Sequence, residues 1–182
     1  MCIREDLNNP SFAAFIGAVS AFTLVVINDL RRDRKKVRII RNEIKIAEDH
    51  AINKLEAFRR NLIKLKEQDK INPSPILKFS PSIIRQLTIQ VLDKFSQEER
   101  QSLDAICYSM ESIDALIELS TKRVEDFENL KDEDIPQLRN SLKTEYEDTI
   151  INLKRLIEMC NNYNNKKYRT ILTKQYVRSE YE

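Results

Sequence analysis

The chain has 182 residues, room for one compact domain and a short appendage and too few for two independent enzyme domains. Charged residues make up 33% and hydrophobic ones 41%, with five Pro, no Trp and a single Gly, a composition that suits long helices and excludes a glycine-rich phosphate loop. The 31 Lys/Arg against 29 Asp/Glu argue against a uniformly basic nucleic-acid coat, and one His with three dispersed Cys leaves little material for a zinc site or a His-assisted nucleophile. No metal and no cofactor is expected.

In chain order, Asn8, Asn9 and Pro10 come first, cap-type side chains followed by a proline suited to a first helical turn. Residues 11–27 read SFAAFIGAVSAFTLVVI, seventeen positions without a charge. As a helix this run rises about 26 Å, against a hydrocarbon layer of about 30 Å. A secretory signal needs basic residues before the apolar run and a small-residue cleavage site after it. Here Arg31, Arg32, Arg34, Lys35, Lys36, Arg38 and Arg41 follow the run, and only Arg4 precedes it, beside Glu5 and Asp6. The positive-inside bias predicts a short external tail 1–10, a single transmembrane helix 11–29 and a cytoplasmic part 30–182. A buried core helix and an interfacial helix are the competing readings.

Small residues line one face of this segment. Ala13, Gly17 and Ala21 recur at every fourth position, with Ala14, Ala18 and Ser20 beside them, while Phe12, Phe15, Ile16, Val19, Phe22 and Val26 fill the rest. In lipid such a face permits close helix–helix approach, so these six small positions are the expected self-association surface. The blander account is that small residues are frequent in any spanning helix. Arg31, Arg32, Arg34, Lys35, Lys36 and Arg38 suit anionic headgroups at up to about 1 kcal/mol each, and the same charge attracts nucleotide or nucleic-acid phosphate.

No turn signal interrupts 27–69, which predicts one helix of about 60 residues, near 90 Å long. Val37, Ile40, Ile44, Ala47, Ala51, Leu55, Phe58, Leu62 and Leu65 form its apolar stripe. Three prolines in INPSPILKFSPS, 71–82, end it. A shorter helix follows over about 82–95, with Ile84, Leu87 and Val91 inward. Ser96 and Glu99 have the form of a capping box. The helix they open carries Leu103, Ile106, Met110, Ile113, Ile117, Val124 and Phe127 in near-heptad register, broken at Ser120. KDEDIP, 131–136, stops it. A last long helix sets Leu138, Leu142, Tyr146, Ile150, Leu153, Ile157 and Cys160 on one side and frays over 161–165. The fold class expected is all-α, a transmembrane helix continuing into a long helix of a four-helix cytoplasmic bundle.

Charge is unevenly divided among these elements. Residues 30–66 hold 13 Lys/Arg and 5 Asp/Glu, a balance of +8, whereas 98–134 hold 4 and 12, a balance of −8, which suits the two as neighbours. Cys107 and Cys160 sit at apolar helix positions and read as small, reduced core residues. Cys2 lies before the span. The final segment KKYRTILTKQYVRSEYE spreads Tyr168, Tyr176 and Tyr181 among five basic residues. It fits either a terminal helix packing its tyrosines inward or a base-stacking surface.

His50 is the only histidine in the chain. An N-terminal span, a helical cytoplasmic part and Arg41-Asn42 followed by His50 resemble a divergent member of the HEPN superfamily, helical-bundle proteins that often cleave RNA. More narrowly, the layout resembles the small membrane accessory proteins of type VI-B CRISPR systems. That resemblance implies an oligomeric pore in the bacterial inner membrane, coupled in function to a CRISPR RNA-guided nuclease and strengthening antiviral defence. Its HEPN side implies Arg41, Asn42 and His50 as catalytic candidates, here with a longer Arg-to-His spacing that stretches the pair along the helix axis. Three classes of function fit: a non-enzymatic oligomeric membrane effector that depolarises the cell, a membrane-tethered ribonuclease, and a membrane-anchored nucleotide sensor or adaptor. The first is the expectation, with membrane lipid and further copies of the chain as partners and direct nucleic-acid binding left open.

Overall fold

The computed structural model describes residues 10–67, 78–126 and 135–179, and every regular element among them is helical. Among the described residues there are five α-helices, α1 (Pro10–Glu67), α2 (Pro81–Gln90), α3 (Gln97–Asp126), α4 (Ile135–Asn164) and α5 (Tyr168–Ser179), with one 3-10 turn, Leu92–Lys94, after α2. The tail with Cys2, the proline-rich connection 68–77, the acidic connection 127–134 with Phe127, and Tyr181 lie outside the described residues. So do the side chains of Ala13 and Tyr176. The chain divides into two units, one up to Ile39 and one from Ile40 onward.

The described residues of the first unit are the leading part of α1. Its only proline is the first residue and its only glycine is Gly17, so nothing interrupts the i→i−4 ladder through all 58 residues of the helix. Every side chain over 14–32 is exposed. Phe15 at 65%, Phe22 at 70% and Leu24 at 62% keep most of their area uncovered, so the described side chains of this unit form no core of their own.

The second unit begins where the apolar stripe of α1 goes under cover. Ile40, Ile44, Ala47, Ala51, Leu55, Phe58 and Leu65 are buried, at the 3-4 spacing the sequence predicts. Leu62 is half-buried and Asn61 takes the buried place beside it. On α3 the buried set is Leu103, Ile106, Met110, Ile113, Ile117 and Val124. Ser120, the break in the register, is buried as well and donates its hydroxyl to the Ile117 carbonyl at 3.0 Å, so no polar group is stranded there. On α4, Leu142, Tyr146, Ile150, Leu153, Leu156, Cys160 and Tyr163 are buried, with Leu138 and Ile157 half-covered.

Helices α3 and α4 form the most extensive pair; α2 lies on α3, and α5 touches both α3 and α4. Phe58 of α1 meets Tyr146 of α4 edge-on, ring centres 5.3 Å apart. Each large apolar side chain sealed in this way stabilises by about 1.5–3 kcal/mol relative to exposure.

Helix α2 stops earlier than its stripe predicts. Val91 leaves helical dihedrals (φ −132°, ψ 33°) and Phe95 is extended, with the 3-10 turn between them. Thr88, Ile89 and Val91 are β-branched, which weakens the final turn. Both Val91 and Phe95 are buried. Helix α4, in contrast, ends sharply instead of fraying. Lys166 adopts φ 58°, its N–H donates to the Tyr163 carbonyl at 2.9 Å, and the Lys167 N–H donates to the Asn162 carbonyl at 2.8 Å. That is the Schellman pattern, with a lysine where glycine is usual.

Candidate functional site

At the start of α3, Ser96 Oγ accepts the Glu99 backbone N–H at 3.1 Å and the Ser96 carbonyl accepts that of Arg100 at 3.0 Å, so Ser96 is the N-cap. The Glu99 carboxylate turns inward. It is buried, and its Oε1 accepts hydrogen bonds from the Tyr163 and Tyr168 hydroxyls, both at 3.1 Å, with the Arg41 guanidinium 3.6 Å away. One carboxylate thus ties α1, α3, α4 and α5 together. Burial, reinforced by that carboxylate, pushes the Tyr168 phenol up to about 12 and the Tyr163 phenol higher still. The two rings pack 5.3 Å apart.

Further bonds surround this clasp. Arg169 Nε donates to Glu98 at 2.8 Å, and Asn164 Nδ2 donates to Glu48 of α1 at 3.0 Å. Ser102 Oγ donates to the Glu98 carbonyl at 2.8 Å and approaches the Tyr168 carbonyl at 3.4 Å. With one oxygen holding two phenols, Glu99 ties four helices of the fold together.

The HEPN-type candidates are distributed differently from a joined pair. Arg41 reaches Glu99, its side chain 52% exposed, while Asn42 and His50 are both exposed on α1. Nine positions at about 100° each are two and a half turns and about 13 Å of rise, so Arg41 and His50 point to opposite sides of the helix. The structure does not bring them together.

A second unusual cluster lies along α1. Lys54 is buried, its Nζ has no hydrogen-bond partner, and it sits 4.5 Å over the centre of the Phe79 ring. Burial pulls its pKa down, opposed by the nearby Asp114 carboxylate. Asp114 in turn accepts the Phe79 backbone N–H on both oxygens, at 3.1 and 2.8 Å, and its own burial raises its pKa. Arg41–Glu99 and Lys54 near Asp114 set the basic side of α1 against the acidic side of α3, as the charge balance suggests. Among the described residues no group of three or more His, Cys, Asp or Glu is placed to hold a metal ion. Burial pushes the thiols of Cys107, to about 12, and of Cys160 upward, and both are free.

In the first unit, α1 is long and apolar enough to cross a bilayer, and none of that window is covered by the rest of the chain. Ala14, Gly17, Ala18, Ser20 and Ala21 are exposed together with the larger residues. Thr23 donates its hydroxyl back to the Val19 carbonyl at 2.7 Å, which satisfies it without water. A Cβ built on Gly17 meets nothing within 4 Å, so no contact inside the chain requires the glycine. Of the basic run, Arg32 pairs with Asp29 at 3.1 Å and Lys36 with Asp33 at 4.0 Å, each one turn earlier, while Arg31, Arg34, Lys35 and Arg38 are exposed.

Comparison of the chain with family models, with curated proteins and with solved structures finds no match.

Proposed function

We propose that the chain is a single-pass membrane protein whose copies associate through the spanning helix, with a four-helix bundle in the cytoplasm. In this reading it is a non-enzymatic effector that makes the bacterial inner membrane leak, and the layout it shares with accessory proteins of type VI-B CRISPR systems assigns that leak to RNA-guided antiviral defence. One observation carries the proposal: over 14–30 the helix presents Phe15, Val19, Phe22, Leu24, Val25 and Leu30 to its surroundings with nothing of the chain on top of them. Apolar surface left in water costs about 25 cal/mol per Å², so a continuous sleeve of it calls for lipid or another copy. Chemistry at Arg41, Asn42 and His50 has no observation of similar weight behind it.

The test uses full-length protein in detergent and in vesicles. Light scattering gives particle mass, and dye release from the vesicles gives permeability. Gly17→Leu and Ala21→Leu are the variants, because extra bulk at Gly17 meets no atom of its own chain. Any loss of mass and leakage therefore reports contact between copies. A monodisperse single subunit that leaves vesicles sealed, or variants that assemble and leak like the unsubstituted protein, would overturn the proposal.

A further inference from the structure

We propose that one side of α1 just beyond the apolar run, carrying Arg31, Arg34, Lys35 and Arg38, is a docking stripe for the phosphates of an anionic phospholipid surface; this rests on the membrane reading above. Residues 28–39 hold six Lys/Arg and two Asp, a balance of +4. The helix sorts these charges by side. Successive positions turn by about 100°, which gathers 31, 34, 35 and 38 into one sector about 100° wide and puts 29, 32, 33 and 36 into another that does not overlap it. In the second sector each acid is engaged by a cation of the same sector, Asp29 by Arg32 at 3.1 Å and Asp33 by Lys36 at 4.0 Å. The first sector contains no acid. Its four cations are exposed, and none of them has an ion pair among the described residues.

The height of the stripe fits a headgroup layer. That layer is about 5–8 Å deep on each side of the hydrocarbon, and Arg31 lies about 6 Å beyond Ile27, the last residue of the apolar run. Arg34 and Lys35, one turn higher, reach back to the same depth because a long basic side chain lays its methylenes along apolar surface and keeps its charge in the polar layer. Arg38 closes the stripe a further turn on. Three of the four cations are arginines, whose planar forks bond two oxygens of one phosphate at a time. Contact is therefore one-sided, and the ion-paired sector, neutral over its four charged residues, adds little to it. Nucleic acid fits the stripe less well, because no Phe, Tyr or Trp occurs between Phe22 and Phe58 and α1 offers no aromatic ring beside these cations on which a base could stack.

The chain has no Trp, so Leu30→Trp in the full-length protein supplies a single fluorescent donor at the level of the stripe. The protein is reconstituted in phosphatidylcholine vesicles that carry the same small fraction of either phosphatidylglycerol or phosphatidylcholine labelled with pyrene on an acyl chain, and energy transfer reports which lipid gathers beside residue 30. Transfer to phosphatidylglycerol is expected to exceed transfer to phosphatidylcholine at least about twofold, and to fall to parity both at about 1 M salt and in R31Q/R34Q/K35Q/R38Q, while R32Q/K36Q keeps the preference. Circular dichroism checks that the quadruple variant is helical, and the salt series gives the same answer with the native cations in place. Protein that floats with the vesicles but transfers equally to both lipids overturns the stripe and leaves the membrane reading standing. A loss in R32Q/K36Q as large as in the quadruple variant overturns the one-sided contact. Failure to float on phosphatidylcholine vesicles overturns the membrane reading and the stripe with it. Inorganic phosphate that removes the preference where chloride of equal ionic strength does not marks a site for free phosphate, and single-stranded RNA that removes it at stoichiometric amounts marks a nucleic-acid contact; either result overturns the lipid assignment.

Discussion

Glu99 shows how one buried carboxylate can set several helices at once. Replacing it with Ala leaves two phenol donors and the Arg41 guanidinium without their acceptor, and a cost of about 3 kcal/mol is expected in denaturant unfolding, against about 1 kcal/mol for Tyr168→Phe, which removes a single hydrogen bond. The phenols also give the clasp a pH signature. Their pKa values lie above the usual 10, Tyr168 at about 12, so the fold favours the neutral form. Such a contribution is complete below the unfolded value and is lost as pH climbs toward the folded one. The unfolding midpoint should therefore fall between about pH 10 and 12, and fall less steeply in Tyr163→Phe/Tyr168→Phe. Lys54 acts in the other direction. Its pKa is lowered from 10.5, so the folded state resists the charged form and stability rises with pH up to that value. Lys54→Met replaces a buried amine that has no hydrogen-bond acceptor with an apolar chain of similar length. It should stabilise by about 1–2 kcal/mol at neutral pH and flatten the rise, measured as denaturant midpoints across pH.

At the scale of the helices, the stripes at 3-4 spacing were legible because burial repeats every turn. Ile40 through Leu65, Leu103 through Val124 and Leu142 through Cys160 are covered where periodicity puts them, apart from the half-buried Leu62 and Ile157. The ends were less so, because they depend on individual bonds. Asn161, Asn162, Asn164 and Asn165 look like a fraying tail, yet the chain turns there in a tight Schellman cap, marked by the φ of Lys166 and two backbone hydrogen bonds. Glu99 carried a true signal, its place three residues after Ser96, and the Ser96 half of the box forms. Its carboxylate does something no spacing rule encodes, since its partners lie 64 and 69 residues away. Lys54 was hidden for the same reason: a lysine on a basic helix reads as solvated until tertiary packing closes over it. The cap supports a direct test. A residue with a side chain is strained at positive φ by about 1 kcal/mol, so Lys166→Gly should stabilise the protein by about 0.5–1 kcal/mol, whereas Ser96→Ala, which deletes the α3 cap, should cost about 1 kcal/mol; thermal melts of both variants in detergent check the opposite signs.

For the molecule as a whole, the distinctive fact is the contrast between two stretches of one helix. From Ile40 onward the apolar positions of α1 recur on a single stripe and are buried, with charged residues between them. Before residue 28 there is no stripe, because apolar residues occupy every side and all described ones are exposed. A water-facing helix has no reason to be apolar all round, and a helix packed on one partner needs only one apolar face. In the proposed reading lipid covers every side at once, and the small face of Gly17 and Ala21 is where a second helix would fit most closely. A charge in the middle of the segment separates these cases. Phe22→Arg costs about 2.5–3.5 kcal/mol if that position lies in the hydrocarbon, but almost nothing if the helix meets water or a polar partner there. In cell fractionation the variant should move from the membrane pellet toward the soluble fraction, while Arg34→Leu, a change outside the apolar run, leaves the protein in the pellet. Equal partition of Phe22→Arg and unsubstituted protein would mean that residue 22 never enters a bilayer, and the leak assigned to the assembled spans would have no membrane to act on.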